Sequence, residues 1–160
     1  MLDRALWIAR GWRLWTRRRA WRAGRDVIAA RVVAAIDEDG LLPQAYGGDG
    51  GPDASALLAV AFGLLGPRDP RAARLDRLGE GPYLRRYPAG SDDGFAGTEG
   101  AFLPVSFLAV TALARLGRVA QAERRLDALC ARLPRLLLEE VDPATSRLLG
   151  NTPLVWSSAE

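Results

Sequence analysis

The amino-acid sequence predicts an all-α protein assembled from helical hairpins. Three observations carry this: apolar residues recur at helical spacing over most of the chain, glycine and proline gather into two long polar segments, and helical runs elsewhere meet across links as short as Gly117. In a toroid of hairpins one rim carries tight turns and the other carries loops that build a site. A superhelical array would need a repeating unit, and none of 30 to 45 residues is present. A length of 160 residues suits one domain that buries about two-thirds of the surface its unfolded chain exposes.

The first helix is expected over Leu2 to Thr16, with Leu2, Leu6, Ala9 and Arg13 on one face. A second runs from Arg19 to Glu38, where Val27, Ile28, Ala30, Val32, Ala34 and Ala35 form an apolar stripe, and Gly40 stops it. Residues 39–52 hold five glycines and two prolines, too many for a helix or a long strand, so they read as a loop of functional length. Asp53 precedes the apolar run Ala54 to Leu65 and is placed to cap a helix closed by Gly66-Pro67. Asp69-Pro70 opens a short helix to about Leu78, with proline at the tolerated first turn. Residues 79–98 form the second irregular segment. Helices from Glu99 to Leu116 and from Arg118 to Leu138 then make an antiparallel hairpin about Gly117. After the turn at Asp142-Pro143, Thr152 and Pro153 start a last helix.

Composition narrows the chemistry. With 49% hydrophobic and 26% charged residues the chain reads as globular rather than disordered. The absence of histidine removes imidazole bases, Ser-His-Asp triads and imidazole-bound zinc. Cys130 stands alone, which removes internal disulfides and CxxC metal knuckles. All 22 basic residues are arginine, so lysine Schiff-base and P-loop chemistry are absent too. No cofactor is implied. Carboxylates, arginines, hydroxyls and indoles remain, which favours a carboxylate enzyme or a binding scaffold.

Charge is concentrated at one end. Residues 1–35 carry nine arginines against Asp3 and Asp26, a balance of +7, while the rest sums to −4. Arginines interleaved with Trp7, Trp12, Trp15 and Trp21 suit a non-catalytic helical scaffold that binds nucleic acid or an anionic membrane. The plainer reading is an amphipathic helix pair with a tryptophan core face and a solvated arginine face, which needs neither partner. Asp3, Arg4, Arg10 and Arg13 interrupt any secretory apolar run, so a cytoplasmic location is expected. No stretch approaches the ~18–20 apolar residues of a membrane span.

The candidate catalytic groups are the carboxylates in or beside the loops: Asp53, Asp92, Asp93, Glu99, Glu139 and Glu140. Glu139 and Glu140 follow the apolar Leu136-Leu137-Leu138, and two like charges at the unfavourable end of a helix dipole suit a proton acceptor. Arg86, within Arg85-Arg86-Tyr87-Pro88, presents a fork of donors fit for sugar hydroxyls or a carboxylate. Trp156 and Trp12 have the indole faces on which a pyranose stacks.

A set of segments in order resembles glycoside hydrolase family fifteen, the glucoamylases and their bacterial glucodextranase and trehalase relatives. They are Gly51-Pro52-Asp53-Ala54-Ser55-Ala56-Leu57-Leu58, Pro70-Arg71, Arg86-Tyr87-Pro88, Gly97-Thr98-Glu99-Gly100-Ala101-Phe102-Leu103, Leu138-Glu139-Glu140-Val141-Asp142-Pro143 and Gly150-Asn151-Thr152-Pro153-Leu154-Val155-Trp156-Ser157. Leu2-Asp3-Arg4-Ala5 resembles the helix before this region, and the likeness is to the C-terminal half of the catalytic domain. It implies a partial (α/α)6 barrel, about half of the ring, with helix faces left for neighbours to cover.

The resemblance further implies inverting hydrolysis of terminal α-glucosidic bonds in an α-glucoside or oligosaccharide. Such a site needs a carboxylic acid and a carboxylate about 6.5–9.5 Å apart, with a water between. By position in the family's motif Glu139 is the general base and Glu140 a supporting group or alternative base. Arg86 matches an arginine holding sugar hydroxyls, Trp156 an indole lining the pocket, and Asp53 and Glu99 match site-facing positions. The family's general acid lies in a Trp-Glu motif, and no Trp-Glu pair occurs in the 160 residues. The chain is therefore expected to carry the base side of the site and to be inactive alone.

Overall fold

Six α-helices and five two-residue strands make up the regular structure of the computed structural model, which describes residues 1–38, 40–45, 51–74, 81–88, 99–133 and 138–151. The chain divides into two units, Met1–Ala35 and Ile36–Glu160.

In the first unit α1 (Leu2–Gly11) packs against α2 (Arg18–Ala35). The close contact uses small residues: Ala9 is buried, and Leu2 reaches Gly24 of α2. Arg25 donates to Asp3 across the pair at 3.0 Å. α1 stops five residues short of the expected Thr16. Arg13 turns into the left-handed region at φ 50°, and the N–H groups of Arg13 and Leu14 return to the carbonyls of Arg10 and Ala9. That pairing is a Schellman stop with arginine where glycine is usual.

The tryptophan face is not core. Trp7, Trp12 and Trp15 are 71%, 77% and 101% exposed, and no residue of α2 is buried, with Val27 and Ile28 both more than half exposed. Two helices that meet through alanine and glycine have too little facing surface to cover these three indoles, and Trp21 on α2 is half-buried. No helix among the described residues is long and apolar enough to cross a membrane.

The second unit is built around α5 (Leu103–Arg115), which packs on α3 (Leu57–Ala61) and on α6 (Val119–Cys130). Leu103, Val105, Leu108, Ala109 and Ala112 are buried, a 3–4 spacing that gives α5 a continuous apolar face. The expected hairpin about Gly117 is present, with both helices shorter than predicted. Asp53 caps as expected: its Oδ1 accepts the N–H of Ser55 at 2.7 Å at the start of a 3₁₀ turn (Ala54–Ala56) that runs into α3. α3 ends at Ala61 rather than Leu65. Asp69 likewise caps α4 (Pro70–Ala73), accepting the N–H of Arg71 at 3.0 Å.

The all-α expectation misses two small antiparallel sheets. β1 (Leu42–Pro43) pairs with β2 (Pro52–Asp53) inside the segment read as pure loop. The second sheet has the order β3 (Ala101–Phe102), β4 (Glu140–Val141), β5 (Leu148–Leu149), with Ala101 opposite Val141 and Val141 opposite Leu148. Strands this short show no alternation in sequence, so periodicity passes over them. Beneath the second sheet Ala101, Leu103, Leu138 and Val141 form a buried cluster against which Tyr83 and Leu133 pack. The helix expected from Thr152 and Pro153 lies outside the described residues.

Candidate functional site

The site-bearing residues of the second unit fall into two groups, joined by Arg85. The first begins with Ser106, fully buried on α5. Its hydroxyl donates to the Phe102 carbonyl at 3.0 Å and accepts the Leu84 N–H at 2.9 Å, while Phe102 N–H donates to the Leu84 carbonyl at 2.8 Å. These bonds fasten residues 83–86 to the start of α5. Arg86 carbonyl then accepts the Ala54 N–H at 2.9 Å, and the Arg86 guanidinium lies 3.5 Å from Oδ2 of Asp53. Asp53 is 5% exposed, so its charge is desolvated and needs both the cap and the arginine. The same guanidinium sits over the Tyr87 ring, 4.9 Å from its centre.

Beside this pair is an open cavity of about 390 Å³, bordered among others by Tyr83, Arg85, Arg86, Tyr87 and Pro143. Two arginines and two phenol rings around a volume of this size suit a small polar ligand with a ring face.

The second group gathers on β4 and its neighbours. Glu139 is held from both directions of the backbone: its N–H donates to the Asn151 carbonyl at 3.1 Å, and its carbonyl accepts from Leu103 at 3.0 Å. Its Oε2 accepts the Asn151 side-chain amide at 2.7 Å and the Asn151 backbone N–H at 3.1 Å. Glu140 differs. Its Oε2 accepts the Gly100 N–H at 3.0 Å, so that carboxylate ties β4 to the segment before β3.

Arg85 links the groups. It donates to the backbone carbonyl of Glu99, borders the cavity, and acts electrostatically on Asp142. Asp142 closes the turn between β4 and β5: its Oδ2 accepts the Thr145 hydroxyl at 2.7 Å and its Oδ1 the Ala144 N–H at 2.9 Å. Those two bonds, with a further backbone bond and Arg85, hold its carboxyl below the usual carboxylate range. Asp142 is thus an anion at neutral pH and unsuited to donate a proton.

Of the residues singled out in sequence, Asp53 and Arg86 meet directly, and Glu139, just before β4, and Glu140, on it, have different partners. Glu99 is half-buried beside Gly100 and is reached by Arg85 through its carbonyl. Neither Glu139 nor Glu140 borders the cavity; the motif reaches it through Pro143. The helix-end argument for the glutamate pair does not hold, because α6 ends at Cys130 and Glu140 lies in a strand. Trp12 is in the first unit, and Asp92, Asp93 and Trp156 lie outside the described residues. Sequence reasoning passed over Ser106 and Asn151. The Gly150-Asn151 pair was the visible signal for the latter, a turn dipeptide whose return to Glu139 no periodicity reveals. Among the described residues no cluster of three or more metal-ligating side chains is present.

The chain is similar to proteins called trehalases. It is 39% identical over 146 residues to that of Mycobacterium tuberculosis, covering 86% of this chain and 21% of that protein. It is 41% identical over 150 residues to that of Mycolicibacterium smegmatis, covering 86% and 22%. With that of Thermoplasma acidophilum it shares 30% identity over 168 residues, covering 97% and 28%. The chain spans between 21% and 28% of the length of these relatives. No family model matches it, and no solved structure does.

Proposed function

We propose that this chain supplies the water-activating side of a glycoside hydrolase site, of the family-fifteen, inverting type, acting on a terminal α-glucosidic bond such as that of trehalose. The similarity to trehalases supports a glycoside hydrolase-like function. One observation carries the finer reading: Oε2 of Glu139 is held by both nitrogens of Asn151 while its Oε1 has no hydrogen bond among the described residues, whereas Glu140 is held through Oε2 by the single Gly100 N–H. A carboxylate fixed through one oxygen and open at the other is arranged to take a proton from water. Arg86, held by Asp53 and stacked on Tyr87, orients sugar hydroxyls at the cavity, and Glu99 and Trp156 belong to the same reading by their motif positions. The fold proposed for the whole site is an (α/α)6 barrel of which these helices are part.

In the protein that carries this chain, Glu139→Gln should lower trehalose turnover by about 10²–10⁴-fold, the usual contribution of a general base. Glu140→Gln should cost less. The reverse order would assign the base to Glu140. Residues 1–160 alone should give negligible hydrolysis, since they contain no Trp-Glu pair, and robust turnover by that polypeptide would remove the argument for a separate acid.

A second reading rests on the three exposed indoles among nine arginines in residues 1–35. These would bind a polyanion, either nucleic acid or an anionic bilayer. A salt-dependent shift with DNA or anionic vesicles, lost when Arg17, Arg18 and Arg19 are replaced, supports it; no shift with either excludes it.

A further inference from the structure

Glu139 spends every polar backbone group and one carboxylate oxygen on two residues, and one of them, Asn151, contributes three of the four bonds. Its amide nitrogen is 2.7 Å from Oε2, its backbone nitrogen 3.1 Å from the same oxygen, and its carbonyl 3.1 Å from the Glu139 nitrogen. The approach depends on Gly150. That residue has φ 71°, and a Cβ there would sit 3.0 Å from both Cβ and Oε2 of Glu139. A side chain at position 150 would therefore push the carboxylate out of the place where Asn151 holds it.

We infer that Asn151 is the positioning residue for the general base: it saturates Oε2 of Glu139 and so aims Oε1 at the attacking water. This rests on the reading of Glu139 as the base. The chemistry of the amide fits the role. A carboxamide donates without titrating, so it fixes the carboxylate across the working pH range and never competes for the proton being transferred. It also approaches only one of the two oxygens, which leaves the other open. An arginine here would tend to engage both in a bidentate fork. The turn that brings Asn151 back is itself fixed, since Asp142 N–H donates to the Arg147 carbonyl at 2.8 Å and Ser146 N–H to the Asp142 carbonyl at 2.8 Å.

Asn151 acts through Glu139 and touches no sugar, so its loss should appear in kcat and not in KM. In the full protein, Asn151→Ala should lower kcat for trehalose by about 10²-fold, the cost of a misaimed reacting group, with KM within about threefold. Asn151→Ser, which restores a short donor, should recover part of that loss. Asn151→Asp, an isostere that places an anion against Oε2, should recover none.

The decisive comparison uses azide as an external nucleophile in a Glu139→Ala background. There azide replaces the activated water, and adding Asn151→Ala should leave the azide-dependent rate unchanged, because the group it positions is gone. A further fall would show that Asn151 supports the fold or the sugar instead, and would overturn the inference. Full activity in Asn151→Ala with Glu139→Ala inactive would overturn it too, while leaving the base assigned. Full activity in Glu139→Ala would instead overturn the base assignment. If Asn151→Ala melts early, the comparison of Asn151→Ser with Asn151→Asp, which are both polar, carries the same decision.

Discussion

The backbone N–H of Gly100 points at Oε2 of Glu140 from 3.0 Å, and the space where a side chain of residue 100 would begin is already occupied by the Val141 carbonyl. A buried glycine and a half-buried glutamate thus join the segment before β3 to β4 through a charge-assisted bond. Glu140 is a structural tie in this arrangement.

Gly100→Ala should therefore be costly. A Cβ would lie 2.8 Å from the Val141 carbonyl oxygen, 3.0 Å from Leu149 Cδ1 and 3.2 Å from Oε2 of Glu140. The leucine tip can move, but the strand carbonyl cannot without breaking the β3–β4 pairing. Thermal or denaturant unfolding should show a loss of about 1–3 kcal/mol, in the range of overpacked cores. An unchanged midpoint would mean that the strands part more easily than their register suggests.

Ser106→Ala tests how the segment carrying Arg85 and Arg86 is anchored. The substitution removes the side-chain acceptor of the Leu84 N–H and leaves that buried donor unsatisfied, at a cost of about 1–3 kcal/mol. Because residues 85 and 86 follow directly, KM for an α-glucoside should also rise although Ser106 touches no ligand. A variant as stable as the parent and unchanged in KM would show that Arg86 is held by its own bonds to Ala54 and Asp53 alone.

Acid should act on the β4–β5 turn through Asp142. Its folded pKa is depressed, chiefly by the Thr145 hydroxyl and then the Ala144 N–H. The unfolded chain therefore binds this proton more readily than the folded one. The stabilisation is complete above the ordinary aspartate value of about 3.9 and is lost as pH falls through the lower folded value. The difference in Tm between the parent and Asp142→Asn should hold steady from pH 7 to about 5 and shrink below about 4. A gap that widens on acidification would contradict the sign.

The sequence made the helices of the second unit plain and left the sheets hidden, for a physical reason. Leu103, Leu108, Ala109 and Ala112 repeat at helical spacing over thirteen residues, enough to read. Glu140–Val141 and Leu148–Leu149 are two residues each, and their pairing is set by residues far away in sequence. Asp53 was legible as a cap because capping is local. Its partnership with Arg86, thirty-three residues on, was not legible, and the resemblance marked the two only as separate site positions. Glu139 was likewise singled out, by the resemblance and by a helix-end argument that the end of α6 at Cys130 removes. In the first unit the arginine face was read correctly as solvated, whereas the tryptophans, whose burial depends on what else lies against them, were not.

The two halves of the site also differ in how much chain each must organise. Glu139 and Asn151 are 12 residues apart, whereas Asp53 and Arg86 are 33 apart. Closing the longer span costs about 0.9 kcal/mol more in chain entropy. Glu139 and Asn151 meet within one short stretch, while Asp53 and Arg86 wait on α3 and α5 coming together. Damage to the helical packing would thus part Asp53 from Arg86 before it parts Glu139 from Asn151, and a partly unfolded molecule would keep the second pair after losing the first.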